Sequence, residues 1–140
     1  MSYCTLDDMI NRFGADELTQ LSATPGSDVM DIPVVQAAID DASNDIDSFV
    51  GSRYPLPLSV VPKSLVKLCA NMARYNLYDN AAPELVEKNN KAAFDFLKMV
   101  AKGDVRLGLD SQGETPVSDE AIEMQSAGSV FSRANAQDFI

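Results

Sequence analysis

Residues 31–58 read DIPVVQAAIDDASNDIDSFVGSRYPLPL. Val35, Ala38, Ile39, Ala42, Ile46, Phe49 and Val50 recur at helical spacing, which predicts one amphipathic helix with a core-facing stripe. Asp31 is placed to cap it, and Pro33 falls in the first turn, where a missing N–H costs little. Gly51 ends it. The following run, SRYPLPLSVVP, holds Pro55, Pro57 and Pro62. Each proline fixes φ and drives its predecessor towards extended geometry, so Tyr54 and Leu56 are expected to stand out on a semi-rigid strut. Asp40, Asp41, Asp45 and Asp47 lie mostly off the apolar stripe. A core stripe, an acidic outer face and a presented loop together suit a part that docks onto other parts.

Working outward, Thr5 before Leu6-Asp7-Asp8 reads as a hydroxyl cap with acids near the positive end of the helix dipole. Leu6, Met9, Ile10 and Phe13 form the first helix, closed by Gly14, and a short second helix carries Leu18 and Leu21. Residues 22–30, with Pro25 and Gly26, read as a loop. Downstream, Pro62 opens a helix whose apolar positions are Leu65, Val66, Leu68, Cys69, Met72, Ala73 and Leu77. A last helix from Pro83 is expected to bury Leu85, Val86, Ala92, Ala93, Phe96, Leu97 and Val100, and Gly103 terminates it. Residues 104–109 alternate briefly and suit a short strand or an extended arm. The predicted fold is all-α: a small bundle of about four or five helices in residues 1–109, with a proline-rich loop and a short extended segment. Residues 110–140 form an acidic, extended C-terminal arm. Its polar stretch 110–129 has the composition of a disordered segment, whereas Val130, Phe131, Phe139 and Ile140 at its end are apolar. That is the composition of a docking peptide, with Phe131, Arg133 and Phe139 as its contact residues.

At 140 residues with 46% hydrophobic content, the chain fits one ordinary domain. Its formal net charge is -10 and is unevenly placed. Residues 1–50 carry ten acids and one base, residues 51–109 nine bases and five acids, and residues 110–140 six acids and one base. An acidic first part beside a basic middle suits a subunit that pairs head to tail with its copies, or else two solvated faces of a monomer. A nucleic-acid reader normally carries a basic footprint, which the chain as a whole lacks. Cys4 and Cys69 stand far apart in sequence and make no disulfide framework, which fits a reducing cytosol. MSYCTLDDM has neither the basic nor the apolar region of a signal peptide, and no apolar run is long enough to span a membrane. A soluble product made in the cytoplasm is expected.

The chain contains no histidine, which removes the commonest general base and metal ligand. No CxxC, P-loop or GxGxxG occurs. Asp40, Asp41, Asp45 and Asp47 sit on a helix rather than in a glycine-turned ligand loop, so they do not match an EF-hand. They read instead as an acidic face that pairs with a neighbour's bases or lines a channel whose like charge repels DNA phosphates. Lys63, Lys67 and Arg74 on one helix, and Lys88, Lys91, Lys98 and Lys102 on the next, have no interleaved aromatics for base stacking. Lys91 and Lys98 are the expected partners for a neighbour's acids. Arg53 and Tyr54 belong to interface-enriched residue types held by prolines, which lowers the entropic cost of a contact.

Four blocks carry a resemblance: YCTLDDMINRFGADELTQL, DIPVVQAAIDDASNDIDSFVGSRYPLPL, VPKSLVKLCANMARYNLYDN and KAAFDFLKMVAKGDVRLG. Together with the terminal VFSR, they resemble a family of Mu-like phages and prophages encoded among head-morphogenesis genes. The resemblance implies a head–tail connector, also called an adaptor or head-completion protein. Such a protein forms a ring, usually dodecameric, under the portal protein, extends the DNA channel and meets a tail-side connector, stopper or tail terminator protein. It would sit in the virion at the head–tail junction after assembly in the host cytoplasm, with no enzymatic activity, cofactor or membrane contact. Two readings of other classes stand beside it. One is a small acidic regulator or DNA mimic that occupies a host nucleic-acid-binding protein; the other is a carboxylate-based metal enzyme.

Overall fold

Local signals set five helices in a computed structural model, which describes residues 2–78 and 81–108. They are α1 (Leu6–Phe13), α2 (Ala15–Ser22), α3 (Ile32–Val50), α4 (Lys63–Leu77) and α5 (Glu84–Lys102), with no strand among the described residues. The fold is all-α. Thr5 and Asp8 form a reciprocal capping box: the Asp8 N–H donates to Thr5 Oγ1 at 3.1 Å and the Thr5 N–H donates to Asp8 Oδ2 at 2.9 Å. Asp31 Oδ1 accepts from the Val34 N–H at 3.3 Å, and Pro33 lies in the first turn of α3. Pro62 and Pro83 stand immediately before α4 and α5.

The three long helices pack against one another, with α4 against both α3 and α5, while the short α1–α2 pair rests on α3 and α4. Val35, Ala38, Ile39, Ala42, Ile46 and Val50 of α3 meet Leu65, Cys69, Ala70, Met72 and Ala73 of α4, and Ala93, Leu97 and Val100 of α5 in one core. Met9 and Leu18 bring in the short helices. Phe49 and Phe94 meet edge to face at 6.1 Å, joining the end of α3 to the middle of α5. On α5 the buried stripe departs from the sequence expectation. Leu85 and Ala92 are exposed, whereas Phe94 packs partly against the core. The helix meets its neighbours along a line centred on Ala93 and Leu97, which rotates Leu85 and Ala92 outward.

The loop after α3 differs from an outward strut. Leu56 is exposed, yet Leu58 is buried and Tyr54 turns inward, where its hydroxyl accepts the Leu107 N–H at 3.2 Å. Residues 104–108 form no strand; they bend back so that Leu107 is buried beneath this loop. Tyr54 is drawn in because its ring adds apolar contact to the core while its polar tip finds a backbone partner. Gly51 has an ordinary helical φ of -62°. Its role is close approach: a Cβ there would stand 2.8 Å from the Asp47 carbonyl and 3.0 Å from Leu56 Cδ1. The arm 110–140 lies outside the described residues.

Candidate functional site

Among the described residues, no cleft gathers the predicted site residues: the four aspartates, Lys91 and Lys98 lie on helix surfaces, and Arg53 and Tyr54 on the loop after α3. Successive residues of an α-helix turn by 100°, so the four aspartates of α3 cannot share one face. Asp41 and Asp45, one turn apart, form one ridge, and Asp40 with Asp47 form another, roughly 120° away. The two ridges flank the buried stripe. Asp40, Asp41 and Asp45 are exposed, and the Gln36 amide donates to Asp40 Oδ1 at 3.0 Å. Partial desolvation, and then the charge of Asp41, raise the Asp45 carboxyl above the usual range. Asp47 is half-buried and holds the Tyr3 hydroxyl at 2.5 Å, so it also serves the fold. Burial, and then this hydrogen bond, push the Tyr3 phenol well upward.

Lys88, Lys91, Lys98 and Lys102 form a ridge on α5 directly away from the core, with Asp95 among them. Lys91 pairs with Asp95 at 3.1 Å, a solvent-exposed pair of little energetic weight. Beside this ridge runs an apolar line that includes Leu85 and Ala92, both expected in the core from the sequence. Leu85, Ala92 and Met99 recur every seven residues, all exposed, with Leu85 at 62% and Met99 at 42%. A heptad-spaced apolar line bordered by charges is the surface one helix offers another. On α3, Val34 and Ala37 are also exposed, on the same side as Asp41 and Asp45. Val29 and Ile32, at 72% and 53% exposure, are further exposed apolar residues just before and at the start of that helix.

Arg53 is exposed but not free-standing. Its guanidinium lies so close to Gly103 that a Cβ there would come within 2.5 Å of Nη2. It therefore covers the C-terminal end of α5, where the helix dipole favours a cation. Arg74, expected among the surface bases, is part-buried and grips Glu17 with two hydrogen bonds of 2.6 and 2.9 Å. Its guanidinium also lies 4.6 Å from the centre of the Phe13 ring. Among the described residues, no three His, Cys, Asp or Glu side chains converge as metal ligands, and no helix is long and apolar enough to cross a membrane. Phe131, Arg133 and Phe139 lie outside the described residues.

Comparison with known proteins gives these surfaces a biological setting. The profile of the family described as Bacteriophage Mu, Gp36 matches residues 3–126. The chain belongs to this family. The Mu-like prophage FluMu protein gp36 of Haemophilus influenzae is 38% identical over 138 residues, covering 99% of this chain and 98% of the relative. Gene product J of Escherichia phage Mu is 30% identical over 135 residues, covering 95% and 96% respectively. The Gp36 profile takes in all five helices and reaches into the arm, further than the blocks that carry the sequence resemblance. In Gp36 terms, both the acidic ridges of α3 and the outward side of α5 fall inside the matched region.

Proposed function

We propose that this phage-family protein is a structural, non-catalytic head–tail connector that forms a ring under the portal protein and extends the DNA channel. The observation that carries the reading is the outward side of α5. There, Leu85, Ala92 and Met99 form an exposed apolar line beside Lys88, Lys91, Lys98 and Lys102. On α3, Val34 and Ala37 lie with Asp41 and Asp45, a surface of matching apolarity and opposite charge. A contact from α5 of one copy to α3 of the next is heterologous, and such contacts close into rings when the rotation allows. Asp40 is then left for the channel side, where its charge repels DNA phosphates. The arm 110–140 reaches the portal through Phe131, Arg133 and Phe139, and Arg53 belongs to the surface offered to the tail-side partner.

Light scattering on the full chain, alone and mixed with the portal protein of the same phage, tests this reading. A ring species that contains both proteins is the expected result, and removal of residues 128–140 should abolish it while leaving a folded helical monomer. A chain that stays monomeric beside the portal, yet captures a nucleic-acid-binding protein and is displaced by duplex DNA, would instead establish the acidic-mimic role.

A further inference from the structure

The tertiary fold brings together two residues that the sequence leaves far apart. Cys4 and Cys69 are both free thiols, both buried, with their Sγ atoms 3.2 Å apart. We propose that this pair is a built-in oxidation site, taking a small peroxide as oxidant and closing to a disulfide that staples the N-terminal segment to α4. The proposal concerns the single chain and stands whether or not copies form a ring.

The surroundings are polar in an otherwise apolar core. The Tyr3 N–H donates to Ser43 Oγ at 3.1 Å, and the same Ser43 Oγ lies 3.5 Å from Cys69 Sγ, in a hydrogen bond in which either atom can donate. The Cys4 thiol donates to the same sulfur. Hydrogen bonds from the Cys4 thiol, the Ser43 hydroxyl and backbone N–H groups lower the Cys69 pKa against the opposing effect of burial. The proton is held on Cys4, whose own pKa is raised by that bond and by burial. One sulfur is thus prepared to attack and its neighbour to resolve, as in reversible thiol oxidation.

The Cys69 thiolate attacks one oxygen of hydrogen peroxide and the O–O bond breaks. The departing hydroxide recovers from solvent the proton that Cys69 released on ionising, becomes water, and leaves a sulfenic acid on Cys69. Cys4 Sγ then attacks that sulfur, gives its proton to the departing hydroxyl and releases a second water. Two thiols and one peroxide become one disulfide and two waters. The sulfurs need close by only about 1.1 Å to reach a disulfide length of about 2.05 Å, within reach of side-chain rotation. Cys4 precedes α1 in a short non-helical segment, so a local opening of residues 2–5 suffices to admit a small oxidant. The bond would close a long loop and join the N-terminal segment to the centre of the core.

The test uses the full chain, reduced and desalted, then treated with stoichiometric hydrogen peroxide and mapped by mass spectrometry after thiol alkylation. Both thiols should disappear together, with a mass lower by two hydrogens and a linked Cys4–Cys69 peptide in the monomer. Dithiothreitol should reverse the change. In Cys4→Ser, a dimedone adduct on Cys69 should replace that product. Because this variant removes a buried partner, the wild-type peptide map is decisive on its own. Thiols that persist under peroxide, links between copies, or independent over-oxidation of each sulfur would overturn the site. In the oxidised chain, amide exchange of residues 3–9 should slow by about tenfold or more. A linked chain with unchanged exchange would overturn the staple.

Discussion

Tyr3 donates its phenolic proton to Asp47 Oδ1 at 2.5 Å, across 44 residues of sequence. With the Tyr3 N–H on Ser43, this bond fastens the segment before α1 to two successive turns of α3. A buried aromatic ring with a charged acceptor at its tip is worth more than its area alone. Tyr3→Phe keeps the ring and removes the bond, so it should lower stability by about 1–2 kcal/mol in urea unfolding.

The same phenol sets a response to alkali, since burial first and then this bond hold its proton. The phenol's pKa is raised above 10.0, so the folded chain holds its proton more tightly than the unfolded chain does. Below about pH 10 both states are protonated, and this contribution is fully present. As pH climbs above that value, only the unfolded chain releases its proton, so stability falls. Urea midpoints taken from about pH 8 to about pH 11 should decline in the native protein and decline less in Tyr3→Phe.

Arg74 and Glu17 are only 20% and 25% exposed and share two hydrogen bonds, which sets them apart from an ordinary surface pair. Glu17→Gln should cost about 1 kcal/mol, because one oxygen can still accept. Arg74→Ala should cost about 2 kcal/mol, since it also loses the Phe13 ring. Arg74→Lys keeps the charge without the fork and should fall between them. A double-mutant cycle by chemical denaturation measures the coupling.

Gly103 closes α5 at φ 86°, with the Arg53 guanidinium against it. Gly103→Ala should lower the thermal midpoint, at a cost of about 1 kcal/mol from the left-handed backbone. Arg53→Ala in the same chain should relieve the contact and leave the backbone cost.

Lys98→Glu and Met99→Asp alter exposed residues, so each should change the stability of the single chain by no more than about 0.5 kcal/mol. Both should weaken ring formation with the portal, measured by light scattering. Charge reversal at Lys91 and Lys98 together should also make assembly less sensitive to salt. Assembly that is unaffected by these changes would refute the α5-to-α3 contact.

Helix bounds were legible because their causes are local. Asp31, Pro33, Pro62, Pro83 and Gly103 act within a turn of where they stand, through capping, a fixed φ or a tolerated left-handed one. The stripes of α3 and α4 were equally plain, since a long periodic run needs only the helical repeat to be read. The stripe of α5 was misplaced at Leu85 and Ala92. Its sequence has apolar residues on two sides, and only packing against α3 and α4 selects which side is buried. Tyr54 was misread for a related reason: proline geometry says that a loop is stiff, and Leu107, 53 residues away, decides that its aromatic turns inward.

The sequence by itself therefore determined an all-α fold, the order of its helices, and its division into acidic and basic parts. Only the tertiary structure decided that Cys4 lies on Cys69, that Tyr3 reaches Asp47, and that Glu17 binds Arg74. Ser43 has meaning only there, as the hydroxyl between Tyr3 and Cys69. Local propensity acts within a few residues and leaves its signature in composition. Contacts across 40 to 65 residues depend on how whole helices pack, and that is a property of the assembled core.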